Sequence, residues 1–208
     1  MLLIPLIRPF IALLLCTGLC APLCAQEGPG HYLAVHFIYG SKPARGHKHD
    51  EMKFFGGLHG GHSTIELDSV DYGFVPSGRV HLFAHRKTFN SMFVAHKTHG
   101  LPVYPAGDKT ITIIIPLTEE QYQTIISKCE SYCDKAPYDY AFFGMRCAAS
   151  AKDILQQAGI FKKRSHLSTV ITTFYPKKLR KRLLRMAEKK HYTVIRQEGR
   201  PSRKWERD

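Results

Sequence analysis

Apolar and polar residues alternate along residues 31–39, a stretch rich in β-formers, and this period of two predicts a first strand. Residues 40–61 break the pattern with six glycines and three histidines, which reads as a long loop. Short strands follow at 62–68, 71–75 and 79–85, joined by tight connections. The β-branched run Thr110–Leu117 predicts a buried strand. From there the period changes to that of a helix. Thr118, Glu119, Glu120 and Gln121 form a capping box that opens a helix over 118–134. A second helix begins at Cys147 and ends at Gly159, with Ile160 just beyond, as in a left-handed C-terminal cap. A third covers Pro176–Lys190, with proline at its first position and one apolar stripe through Leu179, Leu183, Leu184, Met186 and Ala187. Residues 193–197 lie in a last candidate strand, and 198–208 read as a charged tail. There is no internal repeat and no linker to a second domain, so the class is α+β.

The first 25 residues stand apart. Arg8 and the apolar run from Ile11 to Leu15 precede Cys24, Ala25 and Gln26, which reads as a secretory signal peptide cut after Ala25. Its apolar core is too short for a permanent membrane anchor. Cys16, Cys20 and Cys24 lack the small preceding residue of a lipoprotein signal. The expectation is a periplasmic or secreted protein, with one domain over 26–197 and the tail after it.

Removal of the signal leaves three cysteines, an odd number for an exported chain. Cys129 and Cys133 share a helical stripe with Tyr122, Ile125, Ile126 and Tyr132, which makes them core residues. A turn apart on one helix, they are awkwardly placed for a disulfide. Cys147 is the thiol left over, and it sits in the first turn of a helix. There the macrodipole and the adjacent Arg146 favour thiolate, the nucleophilic form. The packing alternative is that Cys147 belongs to the buried stripe of Ala151, Ile154, Leu155 and Ala158.

A thiol nucleophile needs an imidazole to take its proton and return it to the leaving group. His62 is the best placed of twelve histidines, because it enters a strand and follows the pair Gly60 and Gly61. Backbone N–H groups at the start of the Cys147 helix offer an oxyanion site. Other chemistries fit less well. There is no G-x-S-x-G elbow for a serine hydrolase and no H-E-x-x-H helix for a zinc peptidase. The near phosphate loop at 56–63 has His62 where lysine must stand, and it leads into a strand. A competing reading makes His47, His49, Asp50, His59 and His62 a zinc- or copper-binding loop, though no spacing is diagnostic. A third is an inactive domain that binds envelope ligands.

The formal charge is +13, and Pro176–Lys190 alone holds eight basic residues and one acid. Such a helix suits an anionic membrane surface or cell-wall polymer, or is simply a solvated face. Nucleic acid is disfavoured, because no aromatic-basic recognition motif is present.

The order of strand histidine then helix cysteine, with Pro137, Tyr138, Asp139 and Tyr140 shortly before Arg146, Cys147, Ala148, Ala149 and Ser150, resembles circularly permuted NlpC/P60-type papain-like hydrolases. These include the YiiX-like and lecithin:retinol acyltransferase-like groups. The likeness covers about residues 60–160. It implies a papain-like fold in which an antiparallel sheet packs on the cysteine helix. Cys147 would be nucleophile and His62 general base, with no cofactor and no metal, and the substrate an amide or ester of a cell-envelope peptide or lipid. Two departures stand out. Arg146 replaces the usual Asn or Tyr, and Phe74 occupies the position of the third polar residue. Glu66 faces the same side as His62 but four residues along the strand. Ser77 is the remaining candidate for a third group, if the turn lies at Asp68 and Ser69.

Overall fold

The computed structural model describes residues 30–51, 61–99 and 104–208. The signal-peptide region, His59 and the 56–60 part of the glycine loop lie outside the described residues. The chain runs β1 (His31–Ile38), β2 (Ser41–Pro43), β3 (His62–Leu67), β4 (Val70–Pro76), β5 (His81–Phe83), β6 (Ser91–Lys97) and β7 (Thr110–Leu117). It continues α1 (Glu119–Asp134), β8 (Ala141–Phe143), α2 (Cys147–Gln157), α3 (His166–Thr172), α4 (Pro176–Lys190), β9 (Thr193–Gln197) and β10 (Arg203–Trp205). Six strands form one sheet in the order β6-β4-β3-β1-β7-β9, antiparallel at every pairing. The fold is α+β, as the change of period predicts.

Alternation along the strands divides the sheet into two faces. Leu33, Val35 and Phe37 of β1, Ile65 and Leu67 of β3, and Ile111, Ile113 and Ile115 of β7 are buried in the core. Helices cover this face through Ile125 and Cys129 of α1, Ile154 and Leu155 of α2, and Leu179 and Leu183 of α4. The apolar stripe of α4 therefore packs inward. The opposite face is polar yet still buried at His36, Thr64, Glu66, Asp71 and Thr112. His36 joins Glu66 at 2.9 Å and Thr112 at 2.8 Å, and Glu66 accepts from Thr98 at 2.7 Å. These bonds across four segments make burial of the polar face tolerable.

The helix ends follow the sequence signals. Thr118 and Gln121 close the capping box at 3.1 and 3.3 Å. Gly159 takes φ +72, and the Ile160 N–H donates to the Leu155 carbonyl at 2.9 Å, which closes α2. Asp68 and Ser69 both have positive φ, the mirror-image two-residue turn that suits a hairpin between β3 and β4.

Several expectations need correction. The stretch at 79–85 narrows to β5, which leaves the main sheet and pairs in parallel with β8. β6 and α3 carry no sequence signal strong enough to announce them. β6 is an edge strand whose partner β4 defines it, and α3 is only seven residues long. The 198–208 segment is no trailing tail. β10 pairs with β2, Arg200 and Arg203 grip Glu51, and Asp208 binds Arg180 at 2.9 Å. Arg180 is fully buried and lies 3.7 Å from the centre of the Tyr39 ring. The long loop likewise contains β2.

Candidate active site

The chain enters β3 through Gly61, whose φ is +80. A Cβ there would lie 1.6 Å from the Ile38 carbonyl oxygen, so no larger residue fits without moving backbone. His62 follows at once. Its ring lies over Gly73 of the neighbouring strand: a Cβ on that glycine would sit 3.9 Å from Nε2. The hairpin register pairs Ile65 with Tyr72 and Leu67 with Val70, and no pairing of β3 with β4 extends back toward His62. Beyond that point β3 stays on β1 and β4 stays on β6. The first turn of α2 comes in beside β3 here, and the Cys147 sulfur accepts from the Ser63 N–H.

His62 and Cys147 thus face each other, interacting by charge and by hydrogen bond. Cys147 is only 5% exposed, and burial by itself pushes a thiol upward. The charge and hydrogen bond of His62, with the N–H of Ser63, outweigh that and bring Cys147 down to about 7. The Ser63 hydroxyl is buried and has no hydrogen-bond partner of ordinary geometry among the described residues. His62 moves the opposite way. Burial lowers it, but the Cys147 charge and hydrogen bond, aided by the Asp71 carboxylate, raise it overall. One acid lowered and one base raised is the electrostatic signature of a thiolate–imidazolium pair.

Two further groups complete the surroundings. The Cys147 backbone N–H donates to the Tyr140 hydroxyl, which also contacts the sulfur. Burial and the nearby sulfur charge hold Tyr140 far above the ordinary phenol range, so it remains an O–H donor. Asp71 is buried on the polar face, with its register partner Glu66 beside it. Thr64 donates to it, one carboxylate oxygen has no partner among the described residues, and burial raises its affinity for a proton. The Tyr104 hydroxyl meets Thr64 at 3.1 Å, which brings this ring close to Asp71 and Cys147.

The loop that carries Tyr140 is firmly held. Asp139 is fully buried and accepts from His81 Nδ1 at 2.6 Å, the His85 N–H at 2.9 Å and the Asn90 N–H at 2.8 Å. Asn90 also meets His81 Nε2 at 2.9 Å, so both ring nitrogens are held. Gly144 packs where a Cβ would lie 2.9 Å from that of Ala141.

Two sequence expectations change at this point, and Phe74 keeps an apolar role. Arg146 does not supply the charge that activates the thiol. Its guanidinium donates to the Phe174 carbonyl and stacks 3.9 Å from the centre of the Phe174 ring, with Phe142 and Tyr175 alongside. Ser77 is not across from His62. A two-residue turn at 68–69 places position 75 there in register, and Ser77 is exposed beyond β4, its N–H on the Asn90 carbonyl. Phe74 packs in the core against Phe93, Tyr138 and Tyr140. Register arithmetic from the turn would have found Asp71, on the same face of β4 as His62 is of β3. Tyr140 carried no independent signal.

His47, His49 and Asp50 lie exposed in the loop after β2. Among the described residues, no group of three or more His, Cys, Asp or Glu side chains is arranged to hold a metal ion. Cys129 and Cys133 are both free thiols. No helix of the described residues is long and apolar enough to cross a membrane. No protein-family model, curated protein or solved structure matches the chain.

Proposed function

We propose that this chain is an exported, papain-like thiol hydrolase or acyltransferase of the cell envelope, acting on an amide or ester bond of a peptide or lipid. The observation that carries the reading is the hydrogen-bonded pairing of Cys147 at the start of α2 with His62 at the start of β3, which favours thiolate and imidazolium. In the first step the Cys147 thiolate attacks the substrate carbonyl carbon. The carbonyl π pair moves to oxygen, where the Cys147 N–H and the Tyr140 O–H are the donors at hand. As the tetrahedral centre collapses, His62 gives its proton to the departing nitrogen or oxygen, leaving an acyl thioester. His62, now neutral, takes a proton from water or an acceptor hydroxyl, which attacks the thioester and frees the thiolate. The Asp71 carboxylate favours the imidazolium that the first step uses as acid and the second step forms again.

Exposed Leu82, Phe83 and Phe143, at the β5–β8 ribbon leading into Cys147, offer an apolar surface to the substrate. The basic face of α4 suits an anionic membrane surface nearby. The test is turnover of a small activated acyl ester by the 26–208 chain, with acid quenching and mass analysis. A hydroxylamine-labile acyl adduct on Cys147, with repeated turnover, is expected. Absence of both in folded protein contradicts the reading.

A further inference from the structure

A cavity of about 410 Å³ opens between α2, the 159–164 turn and α4, away from the thiol. Lys152 lies five residues after Cys147, roughly 140° around the helix from it. The cavity is lined by Lys152, Lys162, Arg164, Arg182, Arg185, Lys189 and Lys190, with Phe161 and Met186 as its apolar wall. No acidic residue lines it, and none of the seven cations forms a salt bridge among the described residues.

Lys152 is what separates this from an ordinary solvated basic face. It is 1% exposed, and its ammonium donates to the Thr172 hydroxyl at 2.7 Å. An ammonium has three donors, and a buried one is expected to have a compensating charge. None is present. Burial, with Arg182 and Arg164 close by, lowers Lys152 to about 8. A buried cation surrounded by further cations is costly unless an anion completes the site.

We propose that this cavity is a binding site for a phosphate-bearing anion, held by Lys152 within and by Arg164, Arg182 and Arg185 at its mouth. Guanidinium forks match the paired oxygens of a phosphate, and several cations around one volume suit a ligand with more than one negative charge. The cavity is large enough for a diphosphate or a phosphorylated headgroup. The site does not depend on the chemistry at Cys147.

Pyrophosphate is the first probe, titrated calorimetrically into the 26–208 chain at ionic strength matched with sodium chloride. One ion per chain is expected, with a rise in melting temperature. Lys152→Met, close in length and apolar, should weaken binding about tenfold or more. The double variant Arg182→Gln/Arg185→Gln should do the same while leaving the core untouched. Lys178→Gln/Lys181→Gln removes equal charge from the same helix outside the cavity, and should change binding less than twofold. Phosphatidylglycerol vesicles, against phosphatidylcholine vesicles, then separate the sources. If Lys152→Met weakens both pyrophosphate and vesicle binding, the ligand is a lipid headgroup. If it weakens pyrophosphate alone, the ligand is a free phosphate compound. Equal loss in the 178/181 and 182/185 variants, or no preference for pyrophosphate over chloride, would overturn the site.

Discussion

Cys129 and Cys147 are two buried thiols on two helices that pack beside the same sheet, and their acidities move in opposite directions. Cys129 lies mid-helix in α1, fully buried, and burial with nearby negative charge drives it well above the ordinary thiol range. Cys147 is nearly as buried, yet falls to about 7. Burial therefore does not distinguish them. A facing imidazole and the Ser63 N–H do. The shift from 9.0 to about 7 corresponds to about 3 kcal/mol in favour of the charged form. The thiolate is therefore favoured near neutral pH in Cys147 and not in Cys129.

The sharpest break in the comparison comes from removing the nucleophile. Cys147→Ala should lower turnover of an acyl ester by about 10³-fold or more, with the melting transition preserved. Next is His62→Ala, expected to cost about 10²–10³-fold in turnover, because it removes both the proton acceptor and the charge that holds the thiolate. Tyr140→Phe takes away only the hydroxyl at the Cys147 N–H. It should lower kcat about 10–100-fold with little change in KM. Alkylation by iodoacetamide builds no oxyanion, so it should register only the lost contact of the hydroxyl with the sulfur and fall less than kcat does. That split separates an oxyanion role from a loss of thiol activation. Asp71→Asn should have a smaller effect, a few-fold in turnover. Its marker is the alkaline limb of the pH–rate profile, which should shift to lower pH as the carboxylate's support of the imidazolium disappears. Cys129→Ala should do least, costing about 1 kcal/mol of stability and leaving Cys147 labelling unchanged.

Much of this division is visible in residue order. The stripe through Cys129 and Cys133 marks core thiols, and the position of Cys147 at a helix start marks the exception. α4 and the ends of α1 and α2 follow from local signals, because capping boxes, a proline at the first position and a terminal glycine act within a few residues. What depends on distant partners is not legible in the same way. Asp71 becomes relevant only when the turn at 68–69 sets its register. Arg146 looks like a neighbour of the thiol in sequence, but the Phe174 ring draws its guanidinium elsewhere. Asp208 looks like a frayed end until the buried Arg180 is found beneath it. Tyr140 is one aromatic among several in 138–143, and only the tight loop at Gly144 brings its hydroxyl to the Cys147 N–H.

The most direct test of the Cys147–His62 pair is the pH dependence of iodoacetamide labelling, followed residue by residue by mass spectrometry. A group with a lowered pKa gains its reactive form at lower pH, so Cys147 labelling should rise through a midpoint near 7. Cys129 should stay unreactive across the same range. In His62→Ala, burial acts unopposed by the imidazolium, and the Cys147 midpoint should move to about 9 or higher. A wild-type midpoint near 9, or one that His62→Ala leaves in place, would contradict the pair.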